Sequence, residues 1–169
     1  VIDNFGCTQT DSFTIVEPGL LEISFSIDTP ANCNGASNGV ASALVSGGTG
    51  PFDYVWSTGS NTFNSPDTFN TVSGLSLGTY YVTVTDENGC TLTDSTIITE
   101  PSAIVISLDS FANVTIYGGN DGALFTSTYG GANSFIHLWS GPAGFSASTL
   151  NINNLIAGTY YLTTTDSTS

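Results

Sequence analysis

The sequence predicts an all-β chain built from small antiparallel sandwiches placed in tandem. Three observations carry this: short runs that alternate β-branched or aromatic residues with polar ones, turn residues about every ten positions, and motifs that return at a fixed distance. The 169 residues include 19 glycines and 6 prolines. No segment has the long alanine- and leucine-rich periodicity that helices need.

The elements follow in order. Leu21, Ile23, Phe25 and Ile27 fall on one face of a strand over 20–27. Residues 39–45, 52–57 and 69–75 supply further strands between glycine-rich turns. Tyr80-Tyr81-Val82-Thr83-Val84-Thr85 alternates again and ends in the turn Asp86-Glu87-Asn88-Gly89, after which 90–98 returns as the second arm of a hairpin. About seven strands in some 83 residues is the density of an Ig-like Greek-key sandwich. A unit of that size buries only just enough surface to fold alone.

The repeat is explicit. Asp3, Gly6 and Cys7 recur as Asp86, Gly89 and Cys90, and Ile15-Val16-Glu17-Pro18 recurs as Ile98-Thr99-Glu100-Pro101, each displaced by 83 positions. The same displacement carries Asn38-Gly39 onto Asp121-Gly122, Gly47-Gly48 onto Gly130-Gly131, and Phe52 with Trp56-Ser57 onto Phe135 with Trp139-Ser140. Beyond Ser57 the register slips by three, so that Leu75 and Gly78-Thr79-Tyr80-Tyr81 match Leu155 and Gly158-Thr159-Tyr160-Tyr161. The expected division is 1–18 as the C-terminal strands of a preceding repeat, 19–101 as a complete repeat, and 102–169 as a second repeat truncated before its last strand. That layout is expected of a window from a longer tandem array.

Charge excludes several functions. With 14 carboxylates, one histidine and no lysine or arginine, the formal charge is −14. No lysine is present for a Schiff base, no arginine for phosphate, and no basic patch for nucleic acid or anionic lipid. No apolar run approaches the roughly 18 residues of a membrane span, so neither nucleic acid nor membrane insertion is expected. The apolar content of 40% nonetheless suffices for packed cores.

The motifs also resemble a known family. Cys33-x-Gly35, then Gly47-Gly48-x-Gly50-Pro51-Phe52 with Trp56-Ser57, then Gly74-Leu75 with Gly78-Thr79-Tyr80, then Val84-Thr85-Asp86 with Gly89-Cys90 is similar to the SprB repeat. Such repeats fill very large surface adhesins of gliding bacteria of the Bacteroidetes type. The third repeat departs from the pattern, with Val114 near the first cysteine position and Asn133-Ser134 in place of Gly-Pro. The resemblance implies an extracellular location on the bacterial surface, export by the type IX route, and a filament or stalk whose partners are neighbouring repeats and an extracellular polysaccharide or surface. Its role would be that of a stiff spacer displaying binding regions, in gliding motility among other settings. The rival reading is a carbohydrate-binding module in which exposed aromatics contact polysaccharide directly.

Within the tandem reading Cys7 and Cys90 are equivalent, which leaves Cys33 as the second member for the complete repeat. A structural disulfide Cys33–Cys90 is therefore expected, closing a loop worth on the order of 4 kcal/mol. Three free thiols, or a Cys7–Cys33 bridge between repeats, are the alternatives. No CxxC is present, and zinc ligation is not expected.

Trp56 and Trp139 occupy equivalent places and are expected in the cores rather than on a sugar-stacking face. Each Tyr-Tyr pair should turn one ring outward. Turn carboxylates such as Asp86, Glu87 and Asp121 fit turn chemistry better than calcium, for which a junction near Glu17 or Glu100 is the alternative place. His137 lacks a nucleophile, and the scattered carboxylates do not form a hydrolytic pair, so no catalytic residue, metal site or cofactor is expected. Asp94-Ser95-Thr96 and Asp166-Ser167-Thr168 fit an Asp-Ser/Thr-x O-glycosylation pattern, making Ser95 and Ser167 candidate acceptors.

Overall fold

The computed structural model describes residues 5, 8, 10–132 and 134–166, apart from the side chains of Ile27 and Asp28. Thirteen strands and one short 3-10 turn make up its regular structure, arranged in four antiparallel sheets.

The first seven strands are β1 (Glu22–Thr29), β2 (Gly39–Ser46), β3 (Phe52–Trp56), β4 (Asn61–Ser65), β5 (Phe69–Leu75), β6 (Gly78–Thr85) and β7 (Thr91–Ile98). They form one sheet in the order β1-β2-β5 and another in the order β4-β3-β6-β7. Between them lies a core of Leu21, Ala41, Ala43, Val45, Phe52, Tyr54, Trp56, Val72, Leu75, Val82, Val84 and Ile98. The alternation of β2, β3 and β6 feeds this core from both sides, as two facing pleated surfaces require.

The remaining strands are β8 (Ser102–Ala112), β9 (Gly122–Gly131), β10 (Phe135–Ser140), β11 (Ser146–Ala147), β12 (Ile152–Leu155) and β13 (Tyr161–Asp166). Their sheets run β12-β9-β8 and β11-β10-β13, which repeats the first arrangement strand for strand except for a partner to β7. A second, smaller cluster of Trp139, Ile152 and Leu155 forms apart from the first core. Only Thr99, Glu100 and Pro101 separate β7 from β8.

Strand β4 lies outside the expected elements. Its sequence, Asn61-Thr62-Phe63-Asn64-Ser65, is polar and carries no clean alternation. It forms because the edge of β3 is open, and it bends at Asn64, whose φ is 55°. The Asn64 N–H is held by the Asp53 carboxylate at 2.7 Å, which stabilises the bulge where the β3–β4 register shifts.

The expected Cys33–Cys90 disulfide is not made. Both residues carry free thiols, and both are exposed. Cys33 lies in the β1–β2 loop, which is tied to the C-terminal end of β7 by an Ala31 N–H to Thr99 carbonyl bond. Cys90 lies at the N-terminal end of that same strand. Eight residues of β7 separate the two ends by about 26 Å, whereas a disulfide needs Cα atoms within about 7 Å. Cys7 falls outside the described residues.

Candidate functional site

Three features define what the surface presents; the second unit rebuilds the first in part and the second in full. The first is a buried carboxylate at the β2–β3 turn. Two successive left-handed glycines, Gly47 and Gly48, turn the chain so that the Thr49 N–H reaches Asp86 Oδ2 at 3.1 Å. A side chain at Gly48 would press on that carboxylate, so the glycine is a steric requirement. Asp86 Oδ1 accepts the N–H groups of Asn88 and Cys90 at 3.0 and 2.8 Å, closing the β6–β7 turn. In the second unit Gly130, Gly131 and the Ala132 N–H to Asp166 contact rebuild the first half of this arrangement.

Burial by itself would raise the Asp86 pKa. The N–H groups of Cys90, Thr49 and Asn88, with the Cys90 thiol alongside, outweigh it and hold the carboxyl below its ordinary value. Asp121 is likewise lowered, by the Thr115 hydroxyl and N–H. Its counterpart Asn38 accepts the Asn32 N–H in the first unit, so one loop is closed by either an amide or a carboxylate.

The second feature is a tyrosine corner. The Tyr80 hydroxyl donates to the Ser76 carbonyl at 3.0 Å, and Tyr160 donates to the Ile156 carbonyl at 3.0 Å. A tyrosine at the start of the sixth strand, bonded four residues upstream, is a mark of Ig-type sandwiches. It was not anticipated from the sequence, although the repeated Leu-x-x-Gly-Thr-Tyr spacing held the signal. The neighbouring Tyr81 and Tyr161 rings face outward and are exposed.

The third feature lies where β7 meets β8. The Glu100 carboxylate accepts the Asn34 side-chain amide through Oε1 and the Gly35 N–H through Oε2, both at 2.8 Å. The Asn34 amide also reaches the Pro101 carbonyl at 3.3 Å. Both carboxylate oxygens of the repeated Glu-Pro step are therefore held by N–H donors of the loop that carries Cys33.

The remaining candidates are readily placed. Trp56 is buried and its indole N–H donates to Asn70 Oδ1 at 2.8 Å. Trp139 is buried and donates to the Thr149 carbonyl at 3.0 Å. Ser95 is exposed on β7, directly across from Tyr81, while Ser167 lies outside the described residues. His137 Nδ1 meets the Thr164 hydroxyl at 3.0 Å. Among the described residues, no three His, Cys, Asp or Glu side chains converge as metal ligands, and no helix is long and apolar enough to cross a membrane.

Comparison with known proteins adds two findings. Residues 26–61, from within β1 through the start of β4, match the family model described as the SprB repeat. Most of the chain is similar in fold to the three N-terminal domains of the bacteriophage RB49 Highly Immunogenic Outer Capsid protein (Hoc). That similarity has a TM-score of 0.53 at 16% identity, over 87% of this chain and 55% of the other. At such identity it speaks for the fold alone, and this chain spans little more than half of that one. A search of curated protein sequences found no match.

Proposed function

We propose, from the match of residues 26–61 to the SprB repeat family model, that the chain is a segment of a very large bacterial surface adhesin or filament. In this reading 19–101 is one complete unit, 102–169 is a second, and 1–18 belongs to the unit before. The segment acts as a stiff spacer outside the cell, holding binding regions at a distance, and gliding motility is a setting that would use it.

The observation that carries the proposal is the junction. A spacer must transmit orientation from one unit to the next, and only three residues join β7 to β8. Pro101 fixes its own φ and restricts Glu100, while both Glu100 oxygens are tied to the β1–β2 loop. A step so constrained favours a rod over a flexible string.

Small-angle scattering of the 169-residue chain tests the rod, and a glycan array tests the spacer. Expected outcomes are an elongated particle and no saturable binding. Saturable glycan binding that is lost in Tyr81→Ala would overturn the spacer reading in favour of a carbohydrate-binding module. Ser95, exposed beside Tyr81, is the position where mass spectrometry of the native protein should find an O-linked glycan.

A further inference from the structure

The sequence holds three Asn-Gly steps, at Asn34-Gly35, Asn38-Gly39 and Asn88-Gly89. At such a step the glycine nitrogen, with no β-carbon beside it, can attack the preceding side-chain amide. The fold treats the three differently. Gly39 is buried in β2, paired with Leu75 and packed under Ile98. Asn38 Oδ1 is engaged by the Asn32 N–H at 3.1 Å. The Gly89 N–H donates to the Asp86 carbonyl at 2.9 Å, and a carbonyl does not take up a proton near neutral pH.

Asn34-Gly35 is arranged for reaction. Both residues are exposed, in a tight turn closed by the Ala36 N–H to Cys33 carbonyl bond at 3.0 Å. A β-carbon built on Gly35 would meet nothing within 4 Å, so water reaches the turn. One carboxylate spans the nitrogen that would attack and the nitrogen that would leave. Glu100 Oε2 accepts the Gly35 N–H and Oε1 accepts the Asn34 amide, both at 2.8 Å. That is the reach required of a general base. The second unit has no counterpart, since Tyr117-Gly118 occupies the aligned positions.

We infer that Asn34 is a self-modification site, at which Glu100 drives deamidation and so loosens the junction it now holds. Glu100 Oε2 removes the Gly35 N–H proton as that nitrogen adds to Asn34 Cγ. The Cγ–Nδ2 bond then breaks, the proton passes from Glu100 to Nδ2, and ammonia leaves. Water opens the remaining five-membered succinimide at either carbonyl, giving aspartate or isoaspartate at position 34. Glu100 ends as it began. The product sets a second carboxylate against Glu100, and the chain has no lysine or arginine to offset the pair. The amide bonds to Glu100 and to the Pro101 carbonyl, at 2.8 and 3.3 Å, are lost. Isoaspartate also adds a carbon to the backbone of the turn. Water is the only co-reactant, so the extent of reaction records the age of the chain. The inference stands on the Glu100 contacts and is independent of the spacer role.

The test incubates the 169-residue chain at neutral pH and follows each asparagine by peptide mass spectrometry over time. Pepsin makes the peptides, because no lysine or arginine offers trypsin a site. Asn34 should deamidate at least about tenfold faster than Asn38 or Asn88, and Glu100→Gln should slow it about a hundredfold, the low end of general acid–base catalysis. A slow rate retained at Asn38, within the buried start of β2, shows that the variant is folded. In concentrated urea, where the Glu100 contacts are gone, the advantage of Asn34 should vanish. Hydrogen exchange at the Gly35 N–H should be faster in Asn34→Asp than in the fresh parent. An Asn34 no faster than the other two, an advantage that persists in urea, or a Glu100→Gln variant that reacts as fast as the parent would each overturn the role of Glu100. Unchanged exchange at Gly35 in Asn34→Asp would overturn the loosening.

Discussion

Asp86 shows how much of this small sandwich depends on one carboxylate. It gathers three backbone N–H groups from two turns, and those bonds require the charged form. Its pKa is lowered in the folded protein relative to about 3.9 in an unfolded chain. The stability it contributes is therefore complete above about pH 4 and is lost as the pH falls through the folded value. Asp86→Asn should lower the urea midpoint most at neutral pH, and the gap to the parent should close below about pH 4. A gap that stays constant from pH 7 to pH 3 would show that the carboxylate is not the source. Tyr54 shifts the other way: burial first, then the nearby Asp67 carboxylate, raise its phenol pKa, and its hydroxyl donates to the Asp67 carbonyl at 2.9 Å.

At the scale of the strand, the sequence showed most of what exists, and one omission had consequences. Strands with strict alternation, such as β1 and β6, were legible because a half-buried strand must alternate. β4 was not, because an edge strand bent at Asn64 carries no such pattern. With four strands counted between Cys33 and Cys90, the two thiols fall at the same end of the sandwich. With β4 there are five, and they fall at opposite ends. The expected pairing rests on the repeat equivalence of Cys7 and Cys90, which says nothing of the pole at which each thiol lies. The tyrosine corner and the Glu100 contacts escaped notice for a different reason: each depends on a backbone group that a sequence pattern does not display. β7 is the element on which the complete unit closes, since Ile98 is fully buried against Gly39 and Leu75. Ile98→Ala should cost about 2–5 kcal/mol by chemical denaturation, while the neighbouring outward change Ile97→Ala should cost far less.

On the scale of the whole molecule, the two buried clusters are separate, and the chain between them is short and tied down. Charge acts uniformly, because no lysine or arginine offsets any carboxylate. The repeat itself was the most legible feature of the chain, since glycines at left-handed turns and paired aromatics return in fixed register.

The placement of Cys33 and Cys90 at opposite poles bears on how such a segment responds to tension. A covalent brace between distant points of one unit would cap its extensibility, and the thiols stand too far apart to provide it. Once pulled open, residues 19–101 can pay out their full contour, roughly 270–300 Å at maximal extension. Single-molecule stretching should record that same length increment with and without reductant. A shorter increment that grows when reductant is added would reveal an internal brace. Lacking one, the unit can extend to that full length once its two sheets part.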